Sequence, residues 1–414
     1  MFNIFLRDKS RTRFERKTFS MINEKMKRLG TSRSTIRELF EFGKKMKRDL
    51  GEEYVFDYSL GNPSVAPPSE VNEKIEHILN TYDALSVHGY TSAEGDISAR
   101  EAIAKYTADC GEIDTDPSLV YLTAGAAAAL CSTLSAVTTP GESVIVISPF
   151  FPEYKVFIEG VGAVVKPVPA RKDDFGLDLS AIKKAIDENV AAIIINSPNN
   201  PTGAVYSKSD IKGLAEILNH KSKKYDKPIY LISDEPYREL VYDNKKAPFV
   251  QKYYNNTIIC YSYSKSLSIP GERIGYVMVS PEAEDAKDIF SAICGAGRSL
   301  GYVCAPSLLQ KLIPYCIGKT SNIQIYEQNR KTLYDALVSY GYDVVYPSGA
   351  FYMFIKSPLP DAKDFSDIAK KYGLLLVPSD DFGCEGYVRA AYCQSPDMIE
   401  RSLPAFEQLI REFK

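Results

Sequence analysis

The chain has 414 residues, 45% of them hydrophobic and 25% charged, with a formal net charge of -3. That length exceeds what one hydrophobic core usually organises, so two packed domains are expected. The near-neutral balance gives no electrostatic reason to expect nucleic acid or an anionic membrane as partner, and no apolar run approaches the roughly 20 residues that a bilayer-spanning helix needs.

The first twenty residues are basic, with Arg7, Lys9, Arg11, Arg13, Arg16 and Lys17 and no apolar h-region, so they do not read as a secretory signal. Asp8 and Glu15 spoil the acid-poor character of an organellar transit segment. The segment 1–20 reads as a basic extension without fixed structure, ahead of Met21. From Met21 to about Asp49 the apolar positions Met26, Leu29, Ile36, Leu39, Phe40 and Phe42 fall near helical spacing and predict helices lying on something larger. Tyr58 to Pro68 is rich in Gly and Pro and predicts a loop.

Beyond that loop, short apolar runs alternate with amphipathic stretches. The runs are Leu119–Thr123, Ser143–Ser148, Ala191–Asn196, Ile229–Ser233 and Thr257–Ser262; helical segments such as Ala126–Val137, Leu179–Glu188 and Lys208–Tyr225 separate them. This alternation predicts an α/β fold, with a mostly parallel sheet covered by helices on both faces. After about Leu300 the pattern shifts to long helices with strands near Asp343–Ile355, Leu374–Val377 and Gly386–Ala391. The expected organisation is therefore a large domain over 66–300 and a smaller α+β domain built from both chain ends, 21–65 and 301–414. The eight cysteines form no CxxC pair and only three histidines are present, which speaks against a structural zinc site and for reduced thiols in a cytoplasmic protein.

The polar chemistry sits where the predicted strands end. In an open parallel sheet, ligands bind in the crevice outside the carboxyl ends of the strands. Gly125, Pro149–Tyr154, Asn196–Gly203, Asp234–Tyr237 and Ser262–Lys265 each follow a predicted strand. Thr123-Ala-Gly-Ala-Ala leads into a helix of tiny residues, where free N–H groups suit an anion, although the same pattern also makes a plain tight turn. Asn196–Gly203 packs turn formers at a density a surface loop could also show. Asp234 ends a buried strand, where a carboxylate needs a cation or donor, or else caps the next helix. Lys265 lies just past a buried strand among small hydroxyls; burial would lower its pKa and make it a usable amine nucleophile, whereas a lone lysine is more often a surface cation. Arg273 follows eight positions on, within Gly271-Glu-Arg-Ile-Gly.

Together these residues resemble the fold-type-I pyridoxal-phosphate enzymes, specifically the class I/II aminotransferases that include aspartate, alanine and aromatic amino-acid aminotransferases. The motifs that carry the resemblance are Ser197-Pro-Asn-Asn-Pro-Thr-Gly203, Asp234-Glu-Pro-Tyr237, and Ser262-Tyr-Ser-Lys265 with Arg273 downstream. By that resemblance Lys265 is the residue that carries the cofactor covalently, Asp234 pairs with its pyridine nitrogen, and Asn200 and Tyr237 bond its 3-oxygen. Gly125, Ala126 and Ala127 correspond to a backbone phosphate cradle, with Ser262 and Arg273 as side-chain ligands. Phe151 takes the place of the aromatic that stacks on the ring; the chain contains no tryptophan. Arg389, in Gly386-Tyr-Val-Arg, corresponds to the arginine that grips the substrate's α-carboxylate, and Gly61 falls in the substrate-side loop. Tyr90 matches a tyrosine that reaches the neighbouring subunit's phosphate, which implies a homodimer.

The implied reaction moves an amino group from an L-amino acid, aspartate or alanine, to a 2-oxo acid such as 2-oxoglutarate in ping-pong fashion. A C–S β-lyase of the cystathionine type shares the cofactor and the lysine and remains the alternative. An effector-binding transcription regulator needs an added DNA-binding domain, for which the stretch before Gly61 is short. A plain dinucleotide-binding protein is disfavoured because no G-x-G-x-x-G follows a predicted strand.

Overall fold

The computed structural model describes residues 22–31 and 34–414; the basic extension over 1–20 lies outside the described residues. Twelve strands occur among them: β1 (Phe56–Asp57), β2 (Val120–Thr123), β3 (Ser143–Ser148), β4 (Val164–Pro169), β5 (Val190–Asn196), β6 (Tyr230–Asp234), β7 (Thr257–Ser262), β8 (Gly275–Val279), β9 (Tyr352–Lys356), β10 (Leu374–Leu375), β11 (Val377–Pro378) and β12 (Tyr387–Ala391). Seven form one sheet in the order β2-β8-β7-β6-β5-β3-β4. Neighbours from β7 through β4 are parallel, and β8 runs antiparallel to both β7 and β2.

The central strands are continuous apolar runs because both of their faces are covered. All residues of β5 and β7 are buried. On one face Val144, Val146, Ile258 and Val277 pack with Leu134, Ile158 and Ile293 of three helices. On the other, Ile145, Ile193 and Leu231 meet Ile182, Ile211 and Leu218, while Leu122 and Ile259 meet Ile78, Ile103 and Leu312. The mostly parallel, doubly covered sheet expected from the sequence is present. Two of its strands escaped the pattern reading. β4 is an edge strand interrupted by Pro167 and Pro169, and β8 is the antiparallel insertion after Arg273.

A second, smaller α+β body contains the antiparallel sheet β11-β12-β9, backed by the helices Ile323–Tyr340 and Pro396–Arg411 through Leu333, Leu337, Phe406 and Leu409. The N-terminal chain joins it: β1 pairs with β10, Phe56 opposite Leu374, and Leu39 of the helix Thr35–Leu50 packs on Leu375 and Val377. The helix Ser307–Cys316, expected with this body, packs instead on the large sheet's layer through Leu309, Leu312 and Ile313. We therefore propose a boundary after Cys316 rather than at 300. Among the described residues no helix is long and apolar enough to cross a membrane.

Candidate active site

The register of the sheet brings the polar strand ends side by side. Asn196 pairs with Asp234 at the ends of β5 and β6, and Thr123 and Ser262 both lie opposite Gly275. Above these ends is a cavity of about 290 Å³, closed on its far side by Arg389 of β12, Tyr352 of β9 and the loop at Leu60 and Gly61. The large sheet thus supplies the floor, and the smaller body supplies the lid.

Lys265 lies in the short helix Tyr263–Ser266, which Ser262 caps by accepting from the Ser264 N–H. Its Nζ donates to the Gly61 carbonyl at 2.6 Å. Burial pushes the amine from 10.5 down to about 8, and the neighbouring charges of Arg389 and Arg273 act in the same direction, against Cys393. Near neutrality far more of this amine is unprotonated than an ordinary lysine would supply, which favours a nucleophile or general base.

Asp234 is buried at the end of β6. One carboxyl oxygen, Oδ2, accepts from Tyr154 Oη at 2.5 Å, and the other, Oδ1, is buried without a partner among the described residues, in a side chain that lines the cavity. Burial raises the group from 3.8 to about 7, only partly offset by the Tyr154 bond. A buried oxygen in this condition is a vacant acceptor awaiting a cationic N–H. Asn196 holds the adjoining loop: its Nδ2 donates to the Asp234 carbonyl at 2.9 Å, and its Oδ1 accepts from the Asn200 N–H at 2.8 Å. Asn200 Oδ1 in turn accepts from Arg389 Nη1 at 3.0 Å, and Arg389 Nη2 donates to the Ser59 carbonyl at 2.5 Å. Arg389 is 2% exposed and its Nε is unpartnered, so a buried cation with donor capacity to spare faces the cavity.

At the other end the helix Ala126–Val137 opens toward the cavity, with Ala126 and Ala127 in its wall. Gly125 caps it with a φ of 85°, and a Cβ there would come within 2.9 Å of Arg273 Nη2. Arg273 itself adopts a left-handed backbone (φ 55°) and donates to the carbonyls of Pro270 and Ala124. Free helix N–H groups, the Ser262 hydroxyl and a guanidinium therefore converge in a pocket that only glycine leaves open.

The structure brings Gly61, Ala126, Ala127, Phe151, Asn200, Asp234, Tyr237, Ser262, Lys265, Arg273 and Arg389 to this one cavity, with Gly125 one residue behind the wall. Tyr90 is not brought there; it is 101% exposed on the surface of the single chain. Pattern reading missed several contributors. Tyr154 bonds Asp234, Tyr352 pairs its hydroxyl with that of Tyr237 at 2.9 Å, and Ile36, Leu60 and Phe157 wall the mouth. These sit at ordinary amphipathic positions, where an aromatic or aliphatic residue signals only burial. The tyrosine directly after Phe151-Pro-Glu gave the nearest hint, lying in a segment after a strand end that the sequence had already marked.

A vacant buried carboxylate oxygen, an amine of lowered basicity and an anion cradle suit a phosphorylated pyridine aldehyde. Known proteins point the same way. Residues 55–406 match the family described as aminotransferase class I and II. A solved amino transferase from Eubacterium rectale superposes with a TM-score of 0.94 and 48% identity, covering 96% of this chain and 100% of that one. The probable N-acetyl-LL-diaminopimelate aminotransferase of Bacillus subtilis is 31% identical over 371 residues, 86% of this chain and 90% of the relative. The probable aspartate/prephenate aminotransferase of Aquifex aeolicus is 30% identical over 382 residues, 86% and 91% of the two chains. The chain belongs to the class I and II aminotransferases, enzymes that work through pyridoxal phosphate.

Proposed function

We propose that this enzyme transfers the amino group of a small L-amino acid to a 2-oxo acid such as 2-oxoglutarate by a ping-pong sequence, as a homodimer. The observation that carries the reading is a lysine of lowered basicity, Lys265, sharing one cavity with a vacant acceptor, Asp234, and a guanidinium with donor capacity to spare, Arg389. Bound there, pyridoxal phosphate supplies an aldehyde that bonds covalently to amines and a ring that accepts the electrons left when a substrate Cα loses its proton.

The chain's own residues then have separable tasks. Asp234 Oδ1 holds a proton on the pyridine nitrogen, which keeps the ring electron-poor. Asn200 and Tyr237 donate to the 3-oxygen. Ser262, Arg273 and the N–H groups from Gly125 to Ala127 bind the phosphate. Arg389 grips the α-carboxylate and fixes which substrate bond faces the reacting system. Lys265 Nζ, aimed into the cavity with lowered basicity, would serve as the base that accepts the substrate's Cα proton and as the acid that gives it back. Phe151 walls the ring's side of the cavity.

Between aspartate and alanine as donor, the walls favour alanine. Ile36, Leu60 and Phe157 are apolar, and the cations lining the cavity among the described residues are Lys265, Arg273 and Arg389, each already assigned above to the cofactor or the α-carboxylate. The homodimer is supported by Leu85, Tyr90 and Ile97, large apolar or aromatic groups left 83%, 101% and 57% exposed on a single chain. Purified holoenzyme should lose its visible absorbance when alanine is added and regain it with 2-oxoglutarate. Release of pyruvate and thiol from cystathionine, without either half-reaction, would replace this reading by a lyase.

A further inference from the structure

Tyr352 has no part in the reading above, yet it touches two of the groups that do, Tyr237 and Arg389. It lies buried on β9, two residues along from Phe354, which pairs with Arg389, so Tyr352 and Arg389 share one face of the small sheet. The Arg389 guanidinium stands 4.6 Å from the Tyr352 ring centroid. The Tyr352 and Tyr237 hydroxyls are 2.9 Å apart, and their rings meet edge to face at 5.7 Å. Gly61 makes room for this hydroxyl: an ideal Cβ at that position would lie 2.0 Å from Tyr352 Oη. The same Gly61 offers its carbonyl to Lys265 Nζ.

A phenol has one proton to donate. If Tyr237 directs its proton at the cofactor's 3-oxygen, its own oxygen is left as an acceptor, and the hydroxyl in reach is that of Tyr352. We infer that Tyr352 is a positioning residue whose hydroxyl donates to Tyr237 and so aligns and strengthens the donation from Tyr237 to the ring oxygen. The inference rests on the proposed role of Tyr237. In a water-poor site a chain of two such bonds polarises along its length, each bond strengthening the other by roughly 10–30%. The other charged and titratable groups facing the pair are Arg389 and Cys393 from the small body, Asp234 from the sheet and Tyr154 from the helix packed on it. None of these is changed by the test that follows.

The test is the pH at which the visible absorbance of the bound cofactor changes, read without substrate in the holoenzyme and in Tyr352→Phe, Tyr237→Phe and the double variant. A donor on the ring oxygen stabilises its negative charge; weakening that donor makes the neighbouring linkage nitrogen more basic. Tyr352→Phe should move the midpoint upward by roughly 0.2–0.6 pH unit, from that fractional strengthening applied to a charge-assisted hydrogen bond. In the Tyr237→Phe background the same change should move it by nothing. Gly61→Ala, which displaces the hydroxyl instead of deleting it, should also raise the midpoint. An unmoved or lowered midpoint in Tyr352→Phe, or an equal shift with and without Tyr237, overturns the inference while leaving the proposed function standing. Holoenzyme without a visible band would defeat both.

Discussion

Replacing Asp234 by asparagine should stabilise the cofactor-free protein at alkaline pH while disabling the enzyme. In the folded chain the carboxyl is buried, one oxygen is bonded by Tyr154, the other has no partner, and the group is raised from 3.8 to about 7. Between about pH 4 and pH 7 the folded protein therefore holds a proton that the unfolded chain has released. Stability falls as pH rises through that window, and above it the ionised carboxylate costs about 4 kcal/mol. Asparagine keeps the shape and an acceptor for Tyr154 but carries no charge to desolvate. Urea unfolding of both cofactor-free proteins should show little difference near pH 4. The advantage of the variant should then grow by about 3 kcal/mol between pH 5 and pH 8. With cofactor supplied, the order should reverse, because the parent alone gives the pyridine N–H an anionic acceptor, and turnover of the variant should be severely cut. A stability difference that is flat with pH, or that shrinks toward pH 8, would refute the claim that Asp234 is an uncompensated buried acid waiting for a cation.

Other substitutions probe the remaining groups. Arg389→Gln removes a buried cation whose Nε is unpartnered, and kcat/KM for the amino donor should fall roughly 10²–10³-fold, the scale of losing a desolvated charged pair, with the cofactor retained. Gly125→Ala forces a side chain into a φ of 85° and to within 2.9 Å of Arg273 Nη2; equilibrium dialysis should find cofactor affinity weakened by about tenfold or more. The rate at which cofactor-free protein captures pyridoxal phosphate should rise with pH through a midpoint of about 8, since the free Lys265 amine reacts and its protonated form does not. A midpoint at the ordinary lysine value would mean that Lys265 is better solvated than its surroundings indicate.

The floor of the site was legible in the sequence because chemistry there is tied to strand ends. Asn200, Asp234, Ser262 and Lys265 follow unbroken apolar runs, and topology alone gathers such ends into one crevice. The lid was legible only at Arg389 and Gly61, and through resemblance. Tyr352, Leu60 and Ile36 reach the cavity because the N-terminal chain and the small body fold back over the sheet, and no local period encodes that approach. Tyr154 looks like one more core aromatic in its helix; only the register of β6 puts a carboxylate against its hydroxyl. β4 was hidden by its prolines, which an edge strand tolerates, and β8 by its reversal of direction within an otherwise parallel pattern. The sequence placed the helix Ser307–Cys316 with the small body, whereas its packing leads us to propose the other one. Its apolar stripe shows that it packs, but not on which of two cores.

The account depends above all on the Lys265 amine bonding covalently to the cofactor. Borohydride reduction of protein mixed with pyridoxal phosphate, followed by peptide mapping, should leave one stable adduct, on Lys265, and none in Lys265→Ala, which should also lack turnover. An adduct on another lysine, or undiminished activity in Lys265→Ala, would contradict it.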